Sequence, residues 1–191
     1  MPRDAAATRQ QILEQSYELF YAKGYYRVSV DDIAAAARLT KRTVYNHFES
    51  KDVLLAAVLE WQSELALARI RKLAGKPYIE PDDLVDDLFG ALAVWAKRPR
   101  WGGAGFTRIA IELADMPGHP ARITSRRHKR MLEAWFAEQL RKLNIPSAEE
   151  RGRDIMLLIE GAMVLMLIHG DASYASAGGG AAKRLLGRPH P

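Results

Sequence analysis

The chain has 191 residues, of which 48% are hydrophobic and 27% are charged, so it has the composition of an ordinary globular protein and can bury a sizeable core. It contains no cysteine, which excludes disulfides, thiolate zinc sites and cysteine nucleophiles. The net charge of +5 is unevenly distributed: residues 1–60 carry eight basic and eight acidic side chains, and the excess of cations lies entirely in the remainder. Overall charge is therefore weak evidence for a nucleic-acid partner.

No segment has the pattern of a targeting or membrane-spanning sequence. The first ten residues lack the apolar run of a signal peptide. The most apolar stretch, residues 155–168, contains Glu160 and is too short to cross a bilayer. We therefore expect a cytoplasmic protein with no membrane partner.

Apolar side chains recur at three- and four-residue steps along most of the chain, and no strand-like alternation of any length occurs. This pattern predicts an all-α protein of about nine helices. Glycine, proline and N-capping residues separate the predicted helices, which cover about residues 8–23, 29–39, 41–47, 51–73, 82–97, 106–114, 121–143, 147–169 and 172–186.

The last two predicted helices carry unusual patterns. Residues 156–168 are apolar on nearly every side, and a helix of that kind is buried all round, which predicts contact with a second subunit. Ser147 is expected to cap this helix. In the final helix three glycines, residues 178–180, interrupt an alanine-rich sequence at a cost of about 1 kcal/mol each relative to alanine. They predict either a kink or the close approach of another backbone.

Residues 29–51 have the pattern of two short helices separated by a tight turn. Ser29 is a predicted N-cap, with Asp32 as a near match to the capping box, and Thr40 caps the second helix. That second helix, residues 41–47, is about 10 Å long, which is short enough to enter a DNA major groove about 12 Å wide. Residues 38–51 include four cations and one acid, which favours contact with phosphates.

The motifs S-V-D-D-I-A, L-T-K-R-T-V-Y-N-H-F and E-S-K-D-V-L follow a first helix that ends at Gly24-Tyr25. Over about residues 8–60 this arrangement resembles the DNA-binding domain of the tetracycline-repressor (TetR) family of bacterial transcriptional regulators. The resemblance implies a helix-turn-helix DNA-binding domain in residues 1–52 and a ligand-binding and dimerisation domain in residues 53–191. It also implies a homodimer through the last two helices. The DNA-contacting positions that it implies are Ser29, Thr40, Lys41, Arg42, Thr43, Tyr45, Asn46, His47 and Lys51.

Within that set the resemblance assigns different roles. Ser29 and Tyr45 correspond to phosphate-contacting positions, and Lys51 corresponds to a position that contacts the DNA backbone. The candidates for reading base edges are Lys41, Arg42, Thr43 and Asn46. Arg38 stands where the family usually has glycine, so it must adopt a left-handed conformation or alter the turn. The alternative interpretation is a solvated polar helix in some other three-helix domain.

A pocket in the C-terminal half would be lined by aromatic and methionine side chains, although any one of them is more readily explained as ordinary core. The candidates are Trp61, Phe89, Trp95, Trp101, Phe106, Met131, Trp135, Met163 and Met166. Trp101 is the most suggestive, because two glycines follow it in what looks like a loop. The basic run over residues 122–130 predicts an anionic-effector site or, with more weight, a solvated helix face. Among the histidines and acids of residues 112–171, only Glu112 and Asp115 have the spacing of two metal ligands on one helix, so neither a metal nor a cofactor is expected.

The resemblance to the TetR family implies a ligand-responsive transcriptional regulator. P-loop, Rossmann, G-x-S-x-G and HExxH motifs are missing from the sequence, so no enzyme is expected. The predicted action is repression of a palindromic double-stranded DNA operator, relieved when a small apolar or amphipathic molecule binds the C-terminal domain. Two alternatives stay open: a DNA-binding regulator without a physiological ligand, and a small-molecule-sequestering or catalytic helical bundle with a vestigial DNA domain.

Overall fold

The computed structural model describes residues 4–73 and 78–187. Over those residues it contains nine α-helices and no strand, which confirms the predicted all-α fold. The helices are α1 (Ala5–Lys23), α2 (Val30–Ala36), α3 (Lys41–His47), α4 (Lys51–Leu73), α5 (Pro81–Ala96), α6 (Gly105–Glu112), α7 (Pro120–Lys142), α8 (Ala148–His169) and α9 (Ser173–Leu186). Among these helices, none is both long and apolar enough to span a membrane.

Local capping residues explain where the first helices begin and end. Asp4 caps α1, and Gly24 ends it with a positive φ of 83°. At α2 the capping box is complete, a better fit than the near match expected. The Ser29 hydroxyl accepts from the N–H of Asp32, and the carboxylate of Asp32 accepts from the N–H of Ser29 at 2.8 Å. The hydrogen bonds from Ser29 also hold the pKa of Asp32 below its ordinary value.

The prediction that Ser147 caps α8 was wrong. Its backbone is left-handed, with φ 52° and ψ 43°, and its side chain makes no capping hydrogen bond. A capping side chain reaches the N–H groups of the first turn only from an extended backbone. Asn144 is also left-handed, with φ 55°. The chain between α7 and α8 therefore depends on two non-glycine residues in a conformation that side chains disfavour.

The chain divides into two compact units, and the three divisions fall inside α4, at the start of α6 and inside α7. Unit 1 comprises the residues up to Ala66 together with Gly105–Arg127. Unit 2 comprises Leu67–Ala104 and the residues from His128 onward. Helix α6 thus groups with α1–α4 although it lies far from them in sequence. The predicted functional boundary at residues 52–53 stays a prediction.

The core of unit 1 holds the two short helices against the longer ones. Its best-buried side chains come from α1–α4, from the segment before α2 and from the end of α6: Ile12, Leu13, Val28, Ile33, Val44, Leu54, Leu55 and Leu113. Burying a side chain of this size contributes about 1.5–3 kcal/mol. The α2–α3 pair is therefore fixed by its apolar faces, which leaves its polar faces free for other contacts.

The core of unit 2 is built mainly from α5, α8 and α9. Helix α9 runs without interruption through its three glycines. Gly178 and Gly179 face the side chain of Phe89 on α5, so the prediction that a backbone packs closely against them was wrong. A close backbone approach occurs instead at Gly152 on α8, where an added Cβ would lie 3.0 Å from the backbone nitrogen of Ala137. The missing side chain therefore makes room for an aromatic ring at Gly178 and Gly179, and for another main chain at Gly152.

Within the described chain, helix α8 is buried on one side and exposed on the other, and the contact with a second subunit that its composition predicts stays a prediction. Met163 and Met166 are buried in the core of unit 2. On the other side, Leu157 and Ile168 are each 67% exposed, and Val164 and Leu165 are also exposed. The apolar surface of α8 therefore exceeds what this single chain covers.

Candidate nucleic-acid interface

The turn between α2 and α3 is tight and is held by hydrogen bonds to the end of α2 and from α1. The N–H of Leu39 donates to the carbonyl of Ala34 at 2.9 Å, and the side chain of Gln11 donates to the carbonyl of Ala37 at 2.8 Å. Arg38 lies between them with φ 51°, so it takes the left-handed conformation that the family's usual glycine would take. The tight turn therefore forms with arginine in place of glycine, at the cost of backbone strain.

Helix α3 has one buried side and one exposed side. Val44 and the following Phe48 are almost completely buried in unit 1. The Thr40 hydroxyl accepts from the N–H of Thr43 at 3.1 Å and caps the helix. Arg42, Tyr45 and Asn46 project from the opposite side and are exposed, Tyr45 by 46%. The helix is thus anchored by apolar contacts and presents donors and acceptors outward.

The nine residues predicted to contact DNA differ in exposure. Six are exposed: Ser29, Thr40, Lys41, Arg42, Tyr45 and Asn46. Three are half-buried: Thr43, His47 and Lys51. All nine residues therefore lie in one helix-turn-helix segment of unit 1, residues 29–51. Their individual roles stay predictions.

Five of the nine side chains already have partners inside the chain, and two of them, Thr40 and Thr43, bond to each other, with their hydroxyl oxygens 2.8 Å apart. The Ser29 hydroxyl donates to Asp32 at 2.6 Å. Lys41 donates to Asp31 on α2 at 2.9 Å, and this hydrogen bond raises the pKa of Lys41. The Lys51 ammonium donates to the carbonyls of Tyr25 and Val28 at 3.1 and 3.0 Å. A phosphate contact by any of these side chains must replace or share an existing bond.

The residues proposed for a ligand pocket are distributed over both cores. Trp61 and Phe106 pack against the core of unit 1. Those that belong to the core of unit 2 or pack against it are Phe89, Trp95, Trp101, Trp135, Met163 and Met166. Met131 is half-buried on α7.

Trp101 has an unusual environment in unit 2. Its ring meets that of Trp95 edge to face, with centroids 5.8 Å apart. Its indole Nε1 is buried and has no hydrogen-bond partner among the described residues. Elsewhere in unit 2, Phe89 and Lys183 line an open cleft of about 340 Å³ between α5 and α9.

The basic run on α7 is largely engaged within the chain. Arg122 donates to the carbonyl of Ala114 after α6 at 2.9 Å, Arg127 pairs with Glu60, and Lys129 pairs with Glu160. His128 is buried, and burial lowers its pKa to about 4. Only part of the run is therefore available as a solvated cationic face.

The sequence did not reveal one neighbour of the link that precedes the helix-turn-helix segment. Glu112, at the end of α6, accepts hydrogen bonds from the N–H groups of Tyr25 and Tyr26 at 3.0 and 2.9 Å. The sequence had suggested Glu112 only as a weak metal-ligand candidate. No local signal connects residues that lie 87 positions apart.

Comparison with known proteins agrees with this geometry. Residues 12–58 match the family described as "Bacterial regulatory proteins, tetR family". The HTH-type transcriptional regulator UidR of Escherichia coli (strain K12) is 35% identical over 72 residues, which cover 38% of this chain and 37% of UidR. The chain thus matches little more than a third of the length of this curated relative.

Solved structures extend the likeness to almost the whole chain. A TetR-family transcriptional regulator from Streptomyces coelicolor has a TM-score of 0.83 at 24% identity, covering 96% of this chain and 97% of that one. A TetR transcriptional regulator from Streptomyces avermitilis has a TM-score of 0.78 at 27% identity, covering 92% and 98%. The resemblance inferred from residues 8–60 is therefore confirmed. Residues 12–58 therefore match the N-terminal domain of the TetR family, and the chain has the fold of TetR-family regulators of known structure.

Proposed function

We propose that the protein is a transcriptional regulator that binds double-stranded DNA through α2 and α3. The observation that carries this proposal is the exposed face of α3, where Arg42, Tyr45 and Asn46 project from a helix anchored by Val44 and Phe48. A seven-residue helix with a polar outer face can lie in the major groove while its apolar face keeps it attached to the domain.

The roles within this face follow from side-chain chemistry. Arg42 and Asn46 carry the bidentate groups that suit guanine and adenine edges, so they are proposed to read bases. Tyr45, Thr40 and Ser29 are proposed to position the domain on phosphates. Lys41 would leave Asp31 for a phosphate, which costs little because the ion pair is exposed on the surface.

A mobility-shift assay with the DNA upstream of the chain's own gene tests the proposal. Arg42→Ala and Asn46→Ala should each weaken binding about 5- to 150-fold and relax the preference for one base, as expected for a lost base contact of about 1–3 kcal/mol. Tyr45→Ala should weaken binding to all sequences alike. The control is Arg69→Ala, which removes an exposed arginine of unit 2. Equal binding by all four variants would refute the assigned roles.

The exposed apolar side of α8 supports a homodimer through the last two helices. Leu157, Val164, Leu165 and Ile168 recur at helical spacing, so they form one stripe. Contiguous apolar surface of this kind marks a protein interface. Two copies would place two α3 helices in successive major grooves, which requires a palindromic operator.

Light scattering tests the dimer. Leu157→Asp should give a monomer and lose operator affinity, since each half-site is then bound separately. The matched control is Val94→Asp, which charges an equally exposed apolar side chain on α5. If Leu157→Asp stays dimeric, the interface lies elsewhere.

We also propose that a small apolar or amphipathic molecule regulates DNA binding from the C-terminal half, within residues 53–191. The aromatic and methionine side chains of the unit 2 core supply the apolar surface, and Trp101 supplies an unused indole donor. Such a ligand releases the operator only if it binds the DNA-incompetent conformer more tightly. Release of labelled operator by candidate compounds, compared between the parent and Trp101→Phe, tests this. As a regulator of a bacterial chromosome, the protein would act in the cytoplasm.

A further inference from the structure

The segment that joins α1 to α2 is held by side chains from other parts of unit 1. Gly24 ends α1 and Ser29 begins α2, so residues 24–29 set the position of α2. Tyr25 lies in the middle of this link and is buried. Its main chain, ring and hydroxyl all have partners beyond its own neighbours, and these partners come from α4, α6 and the segment between α6 and α7.

One contact on the link comes from α6. The two carboxylate oxygens of Glu112 accept separately from the N–H groups of Tyr25 and Tyr26, at 3.0 and 2.9 Å. Hydrogen bonds to a charged acceptor are about twice as strong as neutral ones. The carboxylate also lies against Gly24, where an added Cβ would be 3.1 Å from either oxygen. The link therefore fits Glu112 closely, and a side chain at residue 24 would displace the carboxylate and strain a backbone whose φ is 83°.

The remaining contacts on the link come from α4 and from His119 in the segment before α7. Lys51 donates to the carbonyls of Tyr25 and Val28, and its ammonium lies 4.0 Å from the centre of the Tyr25 ring. Asp52 accepts from the Tyr25 hydroxyl, and burial together with this hydrogen bond raises the pKa of Tyr25. His119 stacks edge to face on the same ring at 5.6 Å, with its Nε2 3.5 Å from Asp52. The main chain, the ring and the hydroxyl of Tyr25 are therefore all in contact with residues from other elements of unit 1.

The segment that contains Glu112 lies in the sequence between two parts of unit 2. Helix α6 belongs to unit 1, but the residues before Gly105 and after Arg127 belong to unit 2. The segment 105–127 is therefore tied at both ends to the unit proposed to bind the effector. Glu112 is the acid by which this segment holds the main chain of the link.

We propose that Glu112 is a positioning residue for operator binding: its carboxylate sets the place of the Tyr25–Tyr26 link and, through it, of α2 and the recognition helix α3. This role rests on the proposed DNA-binding function. Base reading needs side chains held within about 0.5 Å of the productive geometry, whereas the attraction of cations to phosphates tolerates displacement. Loss of the carboxylate therefore weakens specific binding and spares non-specific binding.

Two substitutions and one matched control test the role in the full-length protein. Glu112→Gln keeps the shape but offers one acceptor and one amide donor to two N–H groups, and Glu112→Ala removes both acceptors. Asp115→Asn makes the same change of charge as Glu112→Gln, on an exposed acid three residues further along. Affinities for the operator and for unrelated DNA are measured at one salt concentration, beside thermal unfolding and amide exchange of residues 25 and 26.

The expected result is weaker binding to the operator with nearly unchanged binding to unrelated DNA. Glu112→Ala should lose about tenfold or more in operator affinity, Glu112→Gln should lose less, and binding to unrelated DNA should change by less than about twofold. The amides of Tyr25 and Tyr26 should exchange faster in both variants, and Asp115→Asn should match the parent. If Glu112→Ala unfolds, Glu112→Gln carries the test.

Two results would overturn the positioning role. One is unchanged operator affinity in variants whose Tyr25 and Tyr26 amides exchange faster. The other is a parallel loss of specific and non-specific binding that follows the unfolded fraction, which indicates structural damage alone. Failure of the parent protein itself to bind its upstream DNA would instead overturn the proposed function and, with it, this role.

Discussion

The ring of Phe89 on α5 packs directly over Gly178 on α9, so closely that a Cβ added to Gly178 would lie 2.7 Å from Cε1 of the ring. Real Cβ atoms do not approach another carbon so closely, so the ring or the helix would have to shift. Gly180, two residues further along the same helix, would place its Cβ 3.4 Å from the end of the flexible Arg184 side chain. The ring therefore leaves no room for a side chain at Gly178, whereas the surroundings of Gly180 can accept a Cβ.

This difference predicts opposite effects of two alanine substitutions. Gly178→Ala should lower the free energy of unfolding by about 1–3 kcal/mol, since it overpacks the α5–α9 contact. Gly180→Ala should raise it by up to about 1 kcal/mol, since alanine is the better helix former. Chemical denaturation measures both. The Gly178→Ala penalty should shrink in a Phe89→Leu background, and a penalty that stays the same in that double-mutant cycle would rule out the ring as its cause.

Arg38 predicts a stabilising substitution in the turn between α2 and α3. Because its φ is 51°, a side chain there is strained, and Arg38→Gly should raise the free energy of unfolding by about 1 kcal/mol. Arg38→Ala removes the same charge and keeps the strain, so it serves as the control and should give no gain. Both variants should lose operator affinity equally if the guanidinium contacts a phosphate. Equal stability of the two variants would show that the turn carries no strain.

His128 predicts a pH dependence of stability. Burial, with Lys129 beside it, lowers the pKa of His128 from 6.5 to about 4, so the folded protein binds this proton less readily than the unfolded chain. The stabilising effect of the neutral ring is present above pH 6.5 and is lost as the pH falls toward 4. Between pH 7 and pH 5 the loss should be about 2 kcal/mol.

The His128→Gln variant isolates that contribution from the carboxylates that titrate at lower pH. Its free energy of unfolding should fall less than that of the parent between pH 7 and pH 5. Urea denaturation at the two pH values provides the comparison. Parallel curves for parent and variant would mean that His128 is not held neutral by the fold.

Lys51 predicts a test that separates a structural role from a DNA-contacting one. Lys51→Met removes hydrogen bonds to two backbone carbonyls and should lower the free energy of unfolding by about 1.5–3 kcal/mol. Lys41→Met serves as the control, since it removes only an exposed pair with Asp31 and should change stability little.

The salt dependence of operator binding then reports the second role. If Lys51 also contacts a phosphate, the slope of log affinity against log salt should fall by about 0.9 in Lys51→Met. An unchanged slope with a lower stability would assign Lys51 to the fold alone.

The local sequence was sufficient to predict the helices and most of their ends. Ser29 and Thr40 begin α2 and α3 as expected, and Gly24 ends α1, because capping bonds join residues no more than four positions apart. Periodicity of apolar residues likewise predicted which side of α3 is anchored, through Val44 and Phe48. The same motifs were enough to predict the family.

Tertiary structure decided what distant residues do to one another. Whether Gly178 meets a backbone or the ring of Phe89, and whether Lys51 faces a phosphate or two carbonyls, depends on how the helices pack. The two bonds that Glu112 accepts from the link before α2 join residues 87 and 86 positions apart. Such contacts arise from the path of the chain rather than from its local pattern. The sequence by itself determined a helix-turn-helix segment with a polar reading face, and the fold determined which side chains hold that segment in place.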